Sequence, residues 1–199
     1  KFSFDNPHPT RYFFAPSGIP IDKGTGYYQN LMLTTNFINY GVTDHFSIGG
    51  GFEFISLVLG SPIVFITPKF GTKIADDLYL SSGAFLIFSS DIIAGIPFVT
   101  GTYGGKESNI SLGIGYAFAN GEISQNPVLS FSATHRIHDN FSLLTENYFI
   151  STSSFSTYFG IHGIRAVSKR NAFDFGAIVI PEIAEYIPAI SYVGYSRAF

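Results

Sequence analysis

The 199-residue chain has no cysteine, no tryptophan and a single methionine. Without cysteine there is no disulfide framework, no thiol nucleophile and no cysteine-based zinc site. Charge is scarce: Asp, Glu, Lys and Arg together make up 13 %, where roughly 25 % is usual in a soluble domain. The net charge of −3 offers no basic surface for nucleic acid, and none is expected as a partner. No run approaches the ~18 consecutive apolar residues of a membrane-spanning helix. Amphipathic helical periodicity between plausible caps is nearly absent. No group of His, Asp and Glu has metal-ligand spacing. GGGF at 49–52 lies inside an extended stretch, so it is no phosphate loop. No cofactor or metal is expected.

What the chain has is apolar and aromatic. Hydrophobic residues are 46 % and aromatic residues 17 %, with 22 Phe and 12 Tyr, and the mean hydropathy is +0.25. A chain this apolar, with no spanning helix, has one other route across a bilayer, the closed β-barrel. The start at Lys1 suits a mature chain whose signal peptide has been removed, or a truncated one.

A short polar turn followed by an alternating strand recurs along the chain. It is seen in VTDHFSIGGGFEF (42–54), IADDLYLSSGAFLIF (74–88), ESNISLGIGYAF (107–118), IHDNFSLLTENYF (137–149) and SKRNAFDFGAIVI (168–180). The spacing of roughly 30 residues is one hairpin repeat. Asp and Asn suit such turns because they tolerate left-handed backbone. Reading outward from the turns predicts strands at 10–19, 26–41, 46–58, 62–74, 78–89, 96–105, 109–119, 127–138, 141–151, 155–167, 172–181 and 186–199. The five compact turns then share one end with both termini. The connections 20–25, 59–61, 90–95, 120–126, 152–154 and 182–185 fall at the other. Irregular pairing is expected at Pro68, Pro97, Gly163 and Pro188.

Several strands carry apolar residues on one face and small polar ones on the other. Ile110, Leu112, Ile114, Tyr116 and Phe118 oppose Asn109, Ser111, Gly113, Gly115 and Ala117. A soluble sandwich would place long charged side chains on the second face; small residues suit a crowded lumen. Aromatics concentrate near strand ends, with Tyr40, Phe46, Phe70, Tyr79, Phe141, Phe173 and Phe199 on the turn side. Tyr27, Phe54, Phe88, Phe118, Phe149 and Phe155 fall on the loop side. Two such bands are the signature of interfacial girdles.

The last stretch, Tyr186 to Phe199, alternates with Phe199, Tyr195 and Val193 on one face and ends on an aromatic residue. Here the chain resembles the bacterial outer-membrane β-barrel superfamily, whose members typically end on an aromatic-rich strand with a C-terminal Phe. The resemblance and the strand pattern imply an all-β fold in a single domain over 1–199. The fold expected is a closed antiparallel up-and-down transmembrane β-barrel of twelve strands with both termini periplasmic. They also imply a location in the bacterial outer membrane, among its lipid and lipopolysaccharide. Residues 1–9 form a lead-in, periplasmic or touching the lumen. The last strand is expected to pair with the segment around Arg11 to Ile19, with Arg197 facing lipid near the rim and snorkelling to the interface.

The charges opposite the apolar faces are the candidate lumen-lining, solute-contacting residues: Glu53, Lys69, Lys73, Arg136, Glu146, His162 and Asp174. Both signs occur in similar number, which suits an internal ion-pair network at least as well as a selective pore. Tyr103, Tyr148 and Tyr158 are further candidates for the lining. The outer connections are short, which argues against a receptor or adhesin. The reading is a non-enzymatic membrane protein. It acts as a narrow channel for small solutes or as a structural subunit of a larger outer-membrane complex. The alternatives are an outer-membrane lipid hydrolase or acyl-modifying enzyme and a soluble β-sandwich binding protein. For an enzyme, His135, His138, Asn140 and Ser142 are the residue types in one neighbourhood, but their spacing matches no motif of such a family.

Overall fold

The computed structural model describes residue 2, residues 4–151 and residues 156–199. Among them, twelve strands build one wall. They are β1 (Gly26–Leu31), β2 (Thr35–Gly41), β3 (Phe46–Glu53), β4 (Ile63–Ala75), β5 (Leu78–Phe88), β6 (Ile93–Gly104) and β7 (Ser108–Gly115). They continue with β8 (Val128–His138), β9 (Phe141–Ser151), β10 (Ser156–Ser168), β11 (Asn171–Val179) and β12 (Ile190–Ala198). Each pairs antiparallel with its chain neighbours, and β12 pairs with β1 to close the ring. A two-residue hairpin, Phe118–Ala119 with Glu122–Ile123, extends the edge of β6. A closed ring leaves no strand edge to satisfy, which is what a bilayer demands.

The compact turns 42–45, 76–77, 105–107, 139–140 and 169–170 share one end, the near end, with Phe199 and the start of β1. Left-handed backbone falls within two of these turns, at Asp77 (φ 56°) and Lys169 (φ 54°), and Gly104 (φ 116°) leads into a third. At the far end lie 32–34, 54–62, 89–92, 116–127 and 180–189, with the connection from Ser151 to Ser156. The predicted loop 152–154, Phe155 and Lys1 lie outside the described residues.

Twelve strands are present, though not the twelve expected. The segment 10–19 is no wall strand; it is folded inside the lumen. The stretch 26–41 is two strands joined by Met32–Thr34, so the connection after β1 falls at 32–34 and not at 20–25. The closing partner of β12 is therefore β1, with Tyr28 opposite Arg197 and Leu31 opposite Gly194. The stretch 46–58 ends as a strand at Glu53, whose carboxylate accepts from Ile55 N and Ser56 N and caps a short helix, α1 (Phe54–Val58). Gly163 pairs regularly with Gly176, and Pro97 with Ala84. The ladder between β4 and β5 skips Pro68 but keeps its register, and Pro188 precedes β12. The bulges lie near turns, between Lys73 and Ala75 and between Arg136 and His138.

The outer face is apolar. Ile48, Val64, Leu80, Val99, Leu112, Leu143 and Phe175 are all exposed along the strand middles. Tyr40, Phe70, Phe141, Phe173 and Phe199 form an exposed aromatic band at the near end. Tyr79 and Tyr27 do not belong to the bands. Tyr79 shares the inward face of β5 with buried Ser81, and Tyr27 is buried in the lumen at the near end. Arg197 is on the outer face beside the near rim, two residues from Phe199.

Candidate functional site

The site is the lumen, and the chain's own N-terminal segment occupies it. Residues 4–7 lie at the near end, where Asn6 N donates to Glu107 Oε1 (2.6 Å) and Asn6 Nδ2 to Lys106 O (3.3 Å). The chain then runs inward, turns back and leaves as a narrow loop. Arg11 bridges Pro16, Tyr12 N donates to Ala15 O, and Ser17 N donates to Thr10 O. The tip, Phe13–Ala15, reaches mid-barrel. His8, Tyr12, Phe13, Ser17 and Ile19 are all buried. Outside the lumen, Lys106 Nζ pairs with Asp22 Oδ2 at 2.8 Å across the returning leg.

The wall grips this segment through its backbone. Glu146, fully buried on β9, accepts from Phe13 N (2.8 Å) and Phe14 N (2.9 Å) through Oε2, and from Tyr148 OH (2.7 Å) through Oε1. Lys69 on β4 donates from Nζ to Ser17 O (3.1 Å) and Ile19 O (2.7 Å). Arg165 on β10 makes a two-pronged pair with Asp174 on β11, at 2.7 and 2.9 Å, and gives its remaining Nη2 proton to Tyr12 O (2.7 Å). Arg136 on β8 pairs with Glu107 at 3.1 Å and donates to Phe4 O. Each is a charge meeting a peptide group or an opposite charge, the condition under which a buried ion is tolerated.

Two titratable groups of the segment are shifted by their surroundings. Burial, with the Arg165 and Arg11 guanidiniums adding to it, holds the His8 imidazole well below its ordinary range, so it stays neutral. Neither of its ring nitrogens has a hydrogen-bond partner among the described residues. Burial raises the Tyr12 phenol, which keeps its proton and donates to Asn109 Oδ1 at 2.5 Å.

Of the residues singled out from sequence, Lys69, Arg136, Glu146 and Asp174 point into the lumen, and all four are buried. Their contacts run to the segment or to other wall residues. Glu53 sits at the far rim, capping α1. Lys73 is exposed at the near-end turn, pairing with Asp76 at 3.3 Å. His162 is on the outer face, because β10 runs in regular register and puts Arg165 inside. There His162 Nδ1 meets Thr145 Oγ1 at 2.8 Å, and Tyr158 OH donates to Asn147 Oδ1 at 2.7 Å. These groups satisfy one another on a lipid-directed wall. Tyr148 faces the lumen; Tyr103 and Tyr158 face outward. Ser142 is buried inside while His135 is exposed on the outer face, so the two do not form a nucleophile–base pair. Arg165, Arg11 and the gripped residues 12–19 were not legible as site residues, whereas 1–9 were expected as a lead-in, periplasmic or touching the lumen. A signal was available for Arg165: three positions from His162, it takes the opposite face of a regular strand.

This is the fold of the bacterial outer-membrane β-barrels, in a twelve-stranded, porin-like form. A KdgM porin superposes with a TM-score of 0.67 at 11 % identity, covering 88 % of this chain and 99 % of that one. The KdgM porin in complex with disordered oligogalacturonate gives 0.68 at 12 %, with the same coverage of each chain. A NanC porin gives 0.58 at 11 %, covering 87 % and 97 %. Likeness at such identity carries the architecture alone. No protein-family model matches the sequence, and no curated protein matches it.

Proposed function

We propose that this protein is an outer-membrane channel for small solutes whose lumen is held shut by its own N-terminal segment. The near end then faces the periplasm, as short turns and termini do in bacterial single-chain barrels. The observation that carries the reading is the grip on the segment. Glu146, Lys69 and Arg165 are spent on backbone groups of residues 12–19. None of these bonds belongs to the strand ladder, so the segment can leave without breaking any pair of the wall. The likeness to porins supports the passage of solutes but says nothing of which ones.

Single-channel recording in planar bilayers tests this. The intact protein gives a quiet membrane with rare openings, and a chain lacking residues 2–21 gives steady conductance steps. Glu146→Ala, which loosens the tip without shortening the chain, raises the open fraction. Folded, inserted variants that both remain silent would sink the channel reading.

A further inference from the structure

The lumen changes character along its axis. In the near half the inward side chains are polar, among them Asn39, Ser81, Thr102, Asn109, Ser111 and Ser132, all buried. In the far half they are mainly aromatic and aliphatic, with Ser130 and Tyr148 among them. Phe37, Phe65 and Phe85 pack against one another as tilted rings: Phe37–Phe65, Phe37–Phe85 and Phe65–Phe85 have centroids 5.2, 6.1 and 5.5 Å apart. A passage for hydrophilic solutes is ordinarily polar throughout, so an apolar half points to a use besides passage.

A cavity of about 340 Å³ lies there. Its walls include Phe85, Ile96, Phe98, Ile150 and Phe159, and the inserted segment forms its floor with Arg11, Phe14, Ala15 and Pro16. Such a volume is at the lower end of small-ligand sites, which run from ~300 to ~1,000 Å³ and combine apolar walls with a few placed polar groups. The charged group here is Arg11, and the hydroxyls of Thr67, Thr100, Ser130 and Tyr148 also line the cavity. Its Nη1 reaches Phe14 O at 3.4 Å and its guanidinium sits 5.7 Å from the Phe37 ring centroid. Among the described residues no carboxylate pairs with it. The nearby carboxylate, Glu146, is already committed to Phe13 N, Phe14 N and Tyr148 OH. A cation without a counter-ion at the base of an apolar cup leaves one kind of ligand incomplete: an anionic head with a hydrocarbon chain.

We propose that the far half of the lumen is a binding site for a single-chain carboxylate amphiphile of short to medium length, a fatty-acid anion, with its head on Arg11 and its chain among the phenylalanines. A carboxylate can take two N–H donors of the guanidinium together. Each buried methylene strengthens binding about fourfold. The site depends on the barrel and on the inserted segment as its floor, and not on whether that segment ever leaves.

The absence of tryptophan makes the test clean. Phe85→Trp places a reporter in the cup, and Phe131→Trp, on the exposed outer face, places one against lipid. Both proteins, in lipid nanodiscs, are titrated with dodecanoate brominated at its tail. Saturable quenching at position 85, with only proportional quenching at 131, supports the site. Arg11→Gln in the Phe85→Trp background weakens saturation at least tenfold, and the brominated octanoate saturates far later than the dodecanoate. Proportional quenching at both positions overturns the site, and unchanged saturation with Arg11→Gln overturns the placement of the head. If Phe85→Trp does not fold, Ile150→Trp reports from another wall of the same cup. A channel that stays silent on truncation leaves the quenching result standing, and opening on truncation says nothing for the amphiphile, so the two readings fail separately.

Discussion

Arg165 holds two parts of the molecule at once. Its Nε and Nη2 engage both oxygens of Asp174 while Nη2 also reaches Tyr12 O on the inserted segment. Both partners are buried. Removing one leaves an uncompensated charge, whereas replacing both by apolar groups of similar volume is far milder. Arg165→Ala is therefore expected to lower stability by about 3–5 kcal/mol, and Arg165→Met with Asp174→Leu to recover most of it, by urea unfolding in lipid vesicles. His8 gives a pH dependence whose sign follows from its environment. Its neighbours are the Arg165 and Arg11 guanidiniums and the Tyr27 ring, 5.3 Å away. Its inserted-state value lies below the released-state value of about 6.5, so the released segment binds the proton more readily. The stabilisation is complete above about pH 6.5 and is lost as pH falls toward the inserted-state value, by at most ~1.4 kcal/mol per unit. Protection of the segment from added protease should weaken on acidification, and His8→Leu should remove that dependence. Residue identity alone could suggest a lumen for Lys69 or Glu146, since each lies opposite an apolar face. It could not reveal their backbone partners, which come from residues 50 or more positions away.

Two elements explain where the strand pattern was legible and where it misled. TRYFFAPSGI has the aromatic density of a wall strand, and nothing in its composition separates a strand facing lipid from a loop facing the lumen. Its fate is set by tertiary partners: Glu146 for the tip, and Thr102 Oγ1 accepting from Gly18 N at 2.7 Å on the way out. Gly18 is needed there, since a Cβ would stand 2.8 Å from Tyr79 O. The hairpin of β1 and β2 was hidden for a different reason. Its turn is made by Met32 (φ 51°) and Leu33 (φ 67°), both left-handed. Tight hairpin turns of that kind normally carry Asn-Gly or Asp-Gly. A turn written in Met and Leu has no sequence mark, and it holds strain at two residues. Met32→Asn with Leu33→Gly is expected to stabilise the barrel by roughly 1–3 kcal/mol, read as a rise in the urea midpoint with unchanged slope. The turns with Asp, Asn or Gly were legible because their chemistry matches their backbone.

At the scale of the molecule, the misread N-terminal strand and the hidden hairpin cancel in the count, and closure survives because an up-and-down ring with both ends together needs an even number. The wall is uneven. β1, β2 and β3 have 6, 7 and 8 residues, while β4 and β10 have 13. A tilted strand needs about 9–11 residues to cross the hydrocarbon. On the short side, α1 sits at the far rim with Phe54, Ile55, Leu57, Val58 and Leu59 all at least half exposed. An apolar helix over a low wall belongs in the bilayer interface, where it covers what the strands do not reach. Charge scanning measures the depth directly. Leu112, 68 % exposed in the middle of β7, marks mid-bilayer, whereas Leu59, 76 % exposed just after α1, marks the interface. Exposure is similar and only depth differs. Leu112→Arg should destabilise by about 2–4 kcal/mol and Leu59→Arg by about 0–1 kcal/mol, each measured by reversible urea unfolding in vesicles. Equal penalties at the two positions would mean that α1 lies as deep as the strand centres and that the far rim is buried in hydrocarbon. Negligible penalties at both would remove the bilayer from the outer face altogether.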